Sequence, residues 1–189
     1  DASSPICDEA AALRYPNIAQ INIDEALAAG YFLALFVTMF DIVLFQPQIP
    51  PNTGNIIRLC ANSGARLHLI QPLGFSLDVK SCRRAGLDYR ELVDVTQWPD
   101  FQSYRNAVPQ KRIWAVTKFG ERYDAAPIGG DDALLFGSET AGLPADVTDM
   151  FDEREKLYLP MIPGTRALNL SNAVAICLYD AWRQVGFPE

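Results

Sequence analysis

Three stretches of the 189-residue chain hold the side chains whose types and spacing could do chemistry. In "PPNTGNIIRLCANSGA" (50–65), Asn55, Arg58 and Asn62 recur at steps of three and four, which puts them along one side of a helix. Amides and a guanidinium near a helix N-terminus suit phosphate or ribose oxygens. Part of the polarity has a structural account, because Asn52 or Thr53 can cap that helix and Gly64 can end it. In "LLFGSETAGLP" (134–144), an apolar strand runs into Gly137, where a backbone can approach a ligand closely, and Glu139 stands where a following helix could begin and be capped by it. In "LYLPMIPGTRALNLSNAVAICLYDAW" (157–182), a loop shaped by two prolines and a glycine leads into a long helix. Asn169 reads as that helix's N-cap, whereas Arg166 has no comparable structural role.

Other chemistries are excluded by what the chain lacks. His68 is the one histidine and sits in the strand-like "RLHLIQP", so Ser-His-Asp catalysis and most zinc sites have no basis. Neither a GxGxxG fingerprint nor a P-loop occurs. Cys7, Cys60, Cys82 and Cys177 have no CxxC or metal-type spacing and read as reduced thiols. The net charge of −7 is uneven, with five acids against Arg14 in residues 1–38 (−4), leaving −3 for the rest. Within that remainder, "VKSCRRAGLDYR" (79–90) gathers Lys80, Arg83, Arg84 and Arg90, a patch able to meet phosphates locally or to be a solvated helix face.

These stretches need elements to position them. From residue 39 onward, apolar runs at 40–45, 66–71, 91–95, 113–117, 133–136 and 156–159 read as strands. They alternate with helical patterns at 53–63, 78–85, 100–107, 145–150 and 170–185, which predicts an α/β fold whose mostly parallel sheet is flanked by helices. The last helix carries a broad apolar stripe from Leu170 to Val185, and its apolar character beyond one face suggests a second subunit as well as a core. Residues 1–38 precede the first internal methionine, Met39, and read as an upstream or artificially added extension, with a genuine extra segment packed on the domain as the alternative; their run "YFLALFVT" is too short to span a bilayer.

Taken together and in this order, "PNTGNIIRLCANSG", "LLFGSETAGLP" and "LYLPMIPGTRALNLSNAVA" resemble the three motifs of the SpoU/TrmH branch of the SPOUT RNA methyltransferases. The similarity is closest to the small TrmL (YibK-type) members, takes in "RLHLIQPLGF" and "RRAGLDY", and runs from about Met39 to Pro188. It implies a SPOUT domain over 39–189 with a C-terminal deep trefoil knot, an exception to the usual absence of knots. It further implies a cytoplasmic homodimer, without metal or membrane, that binds S-adenosyl-L-methionine and methylates the ribose 2′-oxygen of the wobble nucleotide, cytidine or modified uridine 34, in the anticodon stem-loop of tRNA. Cofactor contacts carried over by the resemblance are Val116, Thr117, Gly137, Leu159, Pro160, Met161, Ile162, Ala167 and Leu168. Arg58, Arg166, Asn169, Ser171 and Tyr179 fall at the catalytic positions, and Asn52, Asn55, Lys80, Arg83 and Arg84 are candidates for RNA contact. Two positions depart from the pattern: Ala167, where relatives often have Ser, and Ala141, where they often have Arg.

The resemblance also frames a mechanism. A ribose hydroxyl is a weak nucleophile, and no histidine is placed to deprotonate it. A guanidinium stays protonated to about pH 12 and is a poor base, so Arg58 is expected to clamp the adjacent phosphate and steady negative charge on the 2′-oxygen. Deprotonation by Arg58 itself is the second reading of that residue. A ribosomal RNA target, another tRNA site, or a non-enzymatic RNA-binding protein on the same scaffold are the alternatives for the whole chain.

Overall fold

A computed structural model describes residues 40–76 and 95–188, all within Thr38–Glu189, the second of the two units into which the chain divides. The basic segment with Lys80, Arg83 and Arg84, the helix expected at 78–85 and the N-terminal extension lie outside the described residues. The described elements are β1 (Asp41–Phe45), α1 (Pro50–Ser63), β2 (Arg66–Ile70), β3 (Val95–Trp98), α2 (Phe101–Ala107), β4 (Ile113–Thr117), β5 (Glu121–Arg122), β6 (Ala133–Phe136), α3 (Ala145–Thr148), β7 (Lys156–Tyr158) and α4 (Leu170–Gln184), with a 3₁₀ turn at Glu153–Glu155.

Seven strands form one sheet in the order β3-β2-β1-β6-β4-β7-β5, every neighbouring pair parallel. Alternation along the strands sorts the core into two layers. Ile42, Leu44, Leu67, Leu69, Trp114, Leu134 and Phe136 pack on one face with Ile56, Ile57 and Cys60 of α1 and Val174, Cys177, Leu178 and Ala181 of α4. Val43, Ile70, Ile113, Ala115, Ala133 and Leu135 pack on the other with Phe101 and Tyr104 of α2 and Val147 of α3. Helices on both faces are what a fully parallel sheet requires. β7 inserts between β4 and β5, both earlier in sequence, so the chain passes back between segments already laid down; the trefoil knot implied by the resemblance needs a threading of this kind.

Most elements lie within a residue or two of their expected limits, and the start of α1 is the difference that bears on the site. α1 starts at Pro50, not Thr53, so Asn52 and Thr53 lie inside its first turn and neither is the cap. Two prolines can open a helix because the N–H groups they lack would be unpaired there. β3 is described over Val95–Trp98, past the end of the expected 91–95 run, whose first four residues lie outside the described residues; β5 has only two residues, too few to show a period. β4 and β6 match their expected limits.

At the amino edge of the sheet, Asp41 is fully buried at the start of β1, opposite Arg66 of β2. Its carboxylate accepts from Arg66 Nε at 2.7 Å and from the Tyr104 hydroxyl at 2.9 Å, with Lys111 Nζ 3.6 Å away. Trp98 Nε1 donates to His68 Nδ1 at 3.1 Å, so the neutral imidazole carries its proton on Nε2, which faces Asp41 Oδ2 at 3.4 Å. Burial pushes the Asp41 acid up, but His68, Arg66 and Lys111 outweigh it and hold the group at about 2. Burial, and then the Asp41 carboxylate, push the Tyr104 phenol far above its ordinary range, so it stays a donor.

Since the folded carboxyl titrates below the unfolded one, its contribution is present above about pH 4 and fades as pH falls towards about 2, worth about 2 kcal/mol. Asp41→Asn should remove that part of the acid sensitivity and cost about 1–3 kcal/mol at neutral pH, because Arg66 loses its counter-charge while Lys111 keeps Asp131. Urea unfolding at pH 7 and pH 3 measures both effects; a loss under about 1 kcal/mol at pH 7 would show that the carboxylate is not structural.

Candidate active site

In a parallel sheet the strands' carboxyl ends share one edge, and a crevice opens where adjacent strands send their connections to opposite faces. β1 and β6 are such a pair: β1 leads into α1 on one face, and β6 leads into α3 on the other. The three chemistry-bearing stretches of the sequence meet at this edge.

The turn after β6 is built by close approach. A Cβ on Gly137 would lie 2.0 Å from the Gly142 carbonyl carbon and 2.2 Å from Leu143 N, so only glycine fits. Ser138 and Gly142 exchange backbone hydrogen bonds of 3.2 and 2.9 Å, closing the turn on itself. It aims Glu139 away from α3 and across to α1. Oε2 accepts from Gln48 N at 2.8 Å, and Oε1 accepts from Ile49 N at 3.1 Å and from Asn52 Nδ2 at 3.0 Å. α1 has no side-chain cap of its own, since its N-cap residue is Ile49. The carboxylate supplies both the missing acceptor and a negative charge at the positive end of the helix. Glu139 is therefore a cap, but of α1 rather than of the helix that follows it.

The hydrogen bonds continue into the third motif. Asn169 Nδ2 donates to Asn52 Oδ1 at 2.9 Å, while Asn169 Oδ1 accepts from Ser171 N at 2.9 Å and from Ser171 Oγ at 2.7 Å. Asn169 is thus the N-cap of α4, as its spacing suggested, and also the tie between α4 and α1. Asn52, only 5% exposed, has both polar atoms occupied; it lies beneath the surface rather than on it. Asn55, Arg58 and Asn62 are exposed on the outer side of α1, as their spacing implies, and Arg166 is exposed on the loop before α4. Tyr179, 44% exposed two turns along α4, packs edge-on against Trp182 at 5.5 Å and stands apart from the relay.

Beside the relay is a cavity of about 450 Å³, within the range of roughly 300–1,000 Å³ usual for small-molecule sites. Of the cofactor candidates, Val116, Thr117, Gly137, Leu159, Met161, Ala167 and Leu168 line it; Pro160 and Ile162 share the loop but not the wall. Phe136, Leu170 and Ala173 also line it and were missed, because in sequence they are indistinguishable from core residues. Burial, reinforced by Asp180, pushes the Cys177 thiol up to about 12, which removes it as a nucleophile. Among the described residues no group of three or more His, Cys, Asp or Glu could hold a metal ion, and no helix is long and apolar enough to cross a membrane.

The chain belongs to a methyltransferase family: the SpoU rRNA Methylase family profile matches residues 39–179, which take in the sheet, the turn at Gly137 and the cavity wall. Among individual proteins, it is 51% identical over 150 residues to the tRNA (cytidine(34)-2'-O)-methyltransferase of Aeromonas hydrophila, covering 79% of this chain and 96% of that one. A solved structure concerned with 2-OH methylation of C/U34 on tRNA shares 42% identity and a TM-score of 0.71, over 78% of this chain and 96% of the other. The SpoU methyltransferase AviRb of Streptomyces viridochromogenes, in complex with AdoMet, shares 25% identity and a TM-score of 0.63, over 78% of this chain and 58% of that one.

If Glu139, Asn52 and Asn169 act as one unit, their contributions to stability are not independent. In a double-mutant cycle of Glu139→Ala and Asn52→Ala, each single change should cost about 1–3 kcal/mol, with a coupling of about 0.5–3 kcal/mol by chemical denaturation. Additive costs would show that the carboxylate and the amide act separately.

Proposed function

We propose that this chain transfers a methyl group from S-adenosylmethionine to the ribose 2′-oxygen of the wobble nucleotide of tRNA, with cytidine 34 the foremost substrate. The observation that carries the reading is 51% identity to a tRNA (cytidine(34)-2'-O)-methyltransferase across 96% of its length. The cavity supports it. Its size, its mainly apolar walls and the bare backbone at Gly137 fit an adenosine with a thioether chain, and Val116, Thr117, Gly137, Leu159, Met161, Ala167 and Leu168 would hold it. When bound, S-adenosylmethionine supplies a methyl group on a sulfonium; the 2′-O–CH₃ bond forms as the S–CH₃ bond breaks, and the hydroxyl proton must leave.

On this reading Arg58, on the outer side of α1, pairs with the phosphate next to the target ribose and steadies charge developing on the 2′-oxygen. The proton passes to a phosphate oxygen or to water. Arg166 and Ser171 orient the nucleotide, and Asn55 meets its backbone. Asn52 and Asn169 serve by position, fixing the first turns of α1 and α4 on which these side chains stand. The protein works as a homodimer, with Ile176 and Tyr179 on the open side of α4 (37% and 44% exposed) meeting a second copy. Its place of work is the cytoplasm, where tRNA is found, and its contact with tRNA is the anticodon stem-loop, with Lys80, Arg83 and Arg84 on the RNA backbone.

Purified protein given radiolabelled S-adenosylmethionine and tRNA lacking wobble ribose methylation should label the 2′-oxygen of nucleotide 34. Arg58→Ala should lower kcat by about 10²–10³ while leaving cofactor affinity by calorimetry unchanged. Label at a different nucleotide would replace the substrate assignment, and cofactor binding lost together with kcat would move Arg58 from the chemistry to the cavity.

A further inference from the structure

Past β4 the chain makes a turn that is pinned from two sides. Phe119 N donates to Thr117 Oγ1 at 3.2 Å, and the same hydroxyl donates to the Phe119 carbonyl. Gly120, at φ +126°, lies so close to β7 that a Cβ there would sit 2.3 Å from the Lys156 carbonyl oxygen. On this fixed turn Phe119 is 60% exposed, and Lys118 beside it is exposed too. Both belong to the wall of the 450 Å³ cavity.

A lone exposed aromatic needs no explanation. This one is different in three respects: its backbone cannot slide, a cation is its neighbour, and it stands at the edge of a cavity beside a proposed RNA site. At 60% exposure a ring has at least part of one face open to a flat partner. Single-stranded RNA is recognised by bases stacked on aromatic side chains and by cations on the adjoining phosphates. A turn held in advance gives up little conformational freedom when a base arrives.

We propose that Lys118 and Phe119 are an RNA-binding subsite, in which the Phe119 ring stacks on an unpaired nucleobase of the anticodon loop and Lys118 pairs with its phosphate. The subsite rests on the function proposed above for its RNA, but not on methyl transfer for its test. Anisotropy of a fluorescein-labelled anticodon stem-loop reads binding directly. Phe119→Ala should weaken binding about 5- to 150-fold and Phe119→Trp should restore it. Lys118→Gln should weaken binding and lower the slope of log affinity against log salt by about 0.7–0.9. The elution volume of each variant should match wild type, and S-adenosylhomocysteine affinity by calorimetry should fall far less than RNA affinity. Unchanged RNA affinity in Phe119→Ala would overturn the proposal. So would a parallel loss of S-adenosylhomocysteine affinity, which would assign the ring to the cofactor's adenine, or a shift in elution, which would assign it to a subunit contact. Wild-type methylation with binding that ignores Phe119 defeats the subsite alone; binding that depends on Phe119 without methylation at nucleotide 34 defeats the function alone.

Discussion

A carboxylate can only accept hydrogen bonds, and that property of Glu139 sets the direction of every bond beyond it. Because Glu139 accepts, Asn52 must turn its NH₂ towards it, which leaves the Asn52 oxygen for Asn169. Asn169 must then offer its own NH₂, and its oxygen is left for the first turn of α4. Neither amide has a second orientation that keeps all its partners. Two helix N-termini from distant parts of the chain are thereby locked together, with Arg58 about two turns along one and Arg166 four residues before the other. On the proposed function, an error of about an ångström in the placing of these arginines would be costly for catalysis, and a relay that permits a single arrangement would guard against it.

The sheet separates this site from the burial that stabilises it. At the carboxyl edge lie Gly137, the relay and a cavity, none of which maximises packing. At the amino edge, the buried Asp41 gathers Arg66, Tyr104, His68 and Lys111 around it. Between them the strand residues fill both faces, many of them at or near zero exposure. Both polar clusters attach to β1: Asp41 opens it, and Gln48 and Ile49 lie a few residues past its end. The strand that joins them has little room to shift, since Val43 and Leu44 are fully buried.

The parallel sheet was legible because strands buried on both faces are short continuous apolar runs; β4 and β6 have the limits that "IWAVT" and "ALLF" suggest. The line of Asn55, Arg58 and Asn62 was legible because helical spacing survives in any context. The start of α1 was not, because its cap is a carboxylate about ninety residues away and nothing local announces it. The same distance hid the place of Asn52. In sequence it is one more amide of a polar stripe, and only its burial between Glu139 and Asn169 turns it from a surface contact into a support. Phe119 was missed for the opposite reason. Aromatic residues after a strand usually continue the core, and the signs that this one does not, Thr117 before it and Gly120 after it, matter only once the turn is seen.

The loop between β7 and α4 brings these points together. Every residue of 160–169 is exposed, including Met161, Leu168 and, at 77%, Ile162, yet the loop is shaped: Thr165 closes a turn on the Ile162 carbonyl through both its N–H and its hydroxyl. Apolar side chains held in water on a fixed turn are unfavourable, at about 25 cal/mol for each Å² that could be covered. On the proposed function the cover is accounted for, with cofactor on the Met161, Ala167 and Leu168 side and RNA or a second copy over the rest. The same reading accounts for a reaction in which the one histidine, His68, lies at the opposite edge of the sheet. On the proposed function, a ribose hydroxyl between cofactor and a guanidinium would need charge stabilisation and alignment more than a strong proton acceptor, and two fixed helix ends with their arginines would supply those.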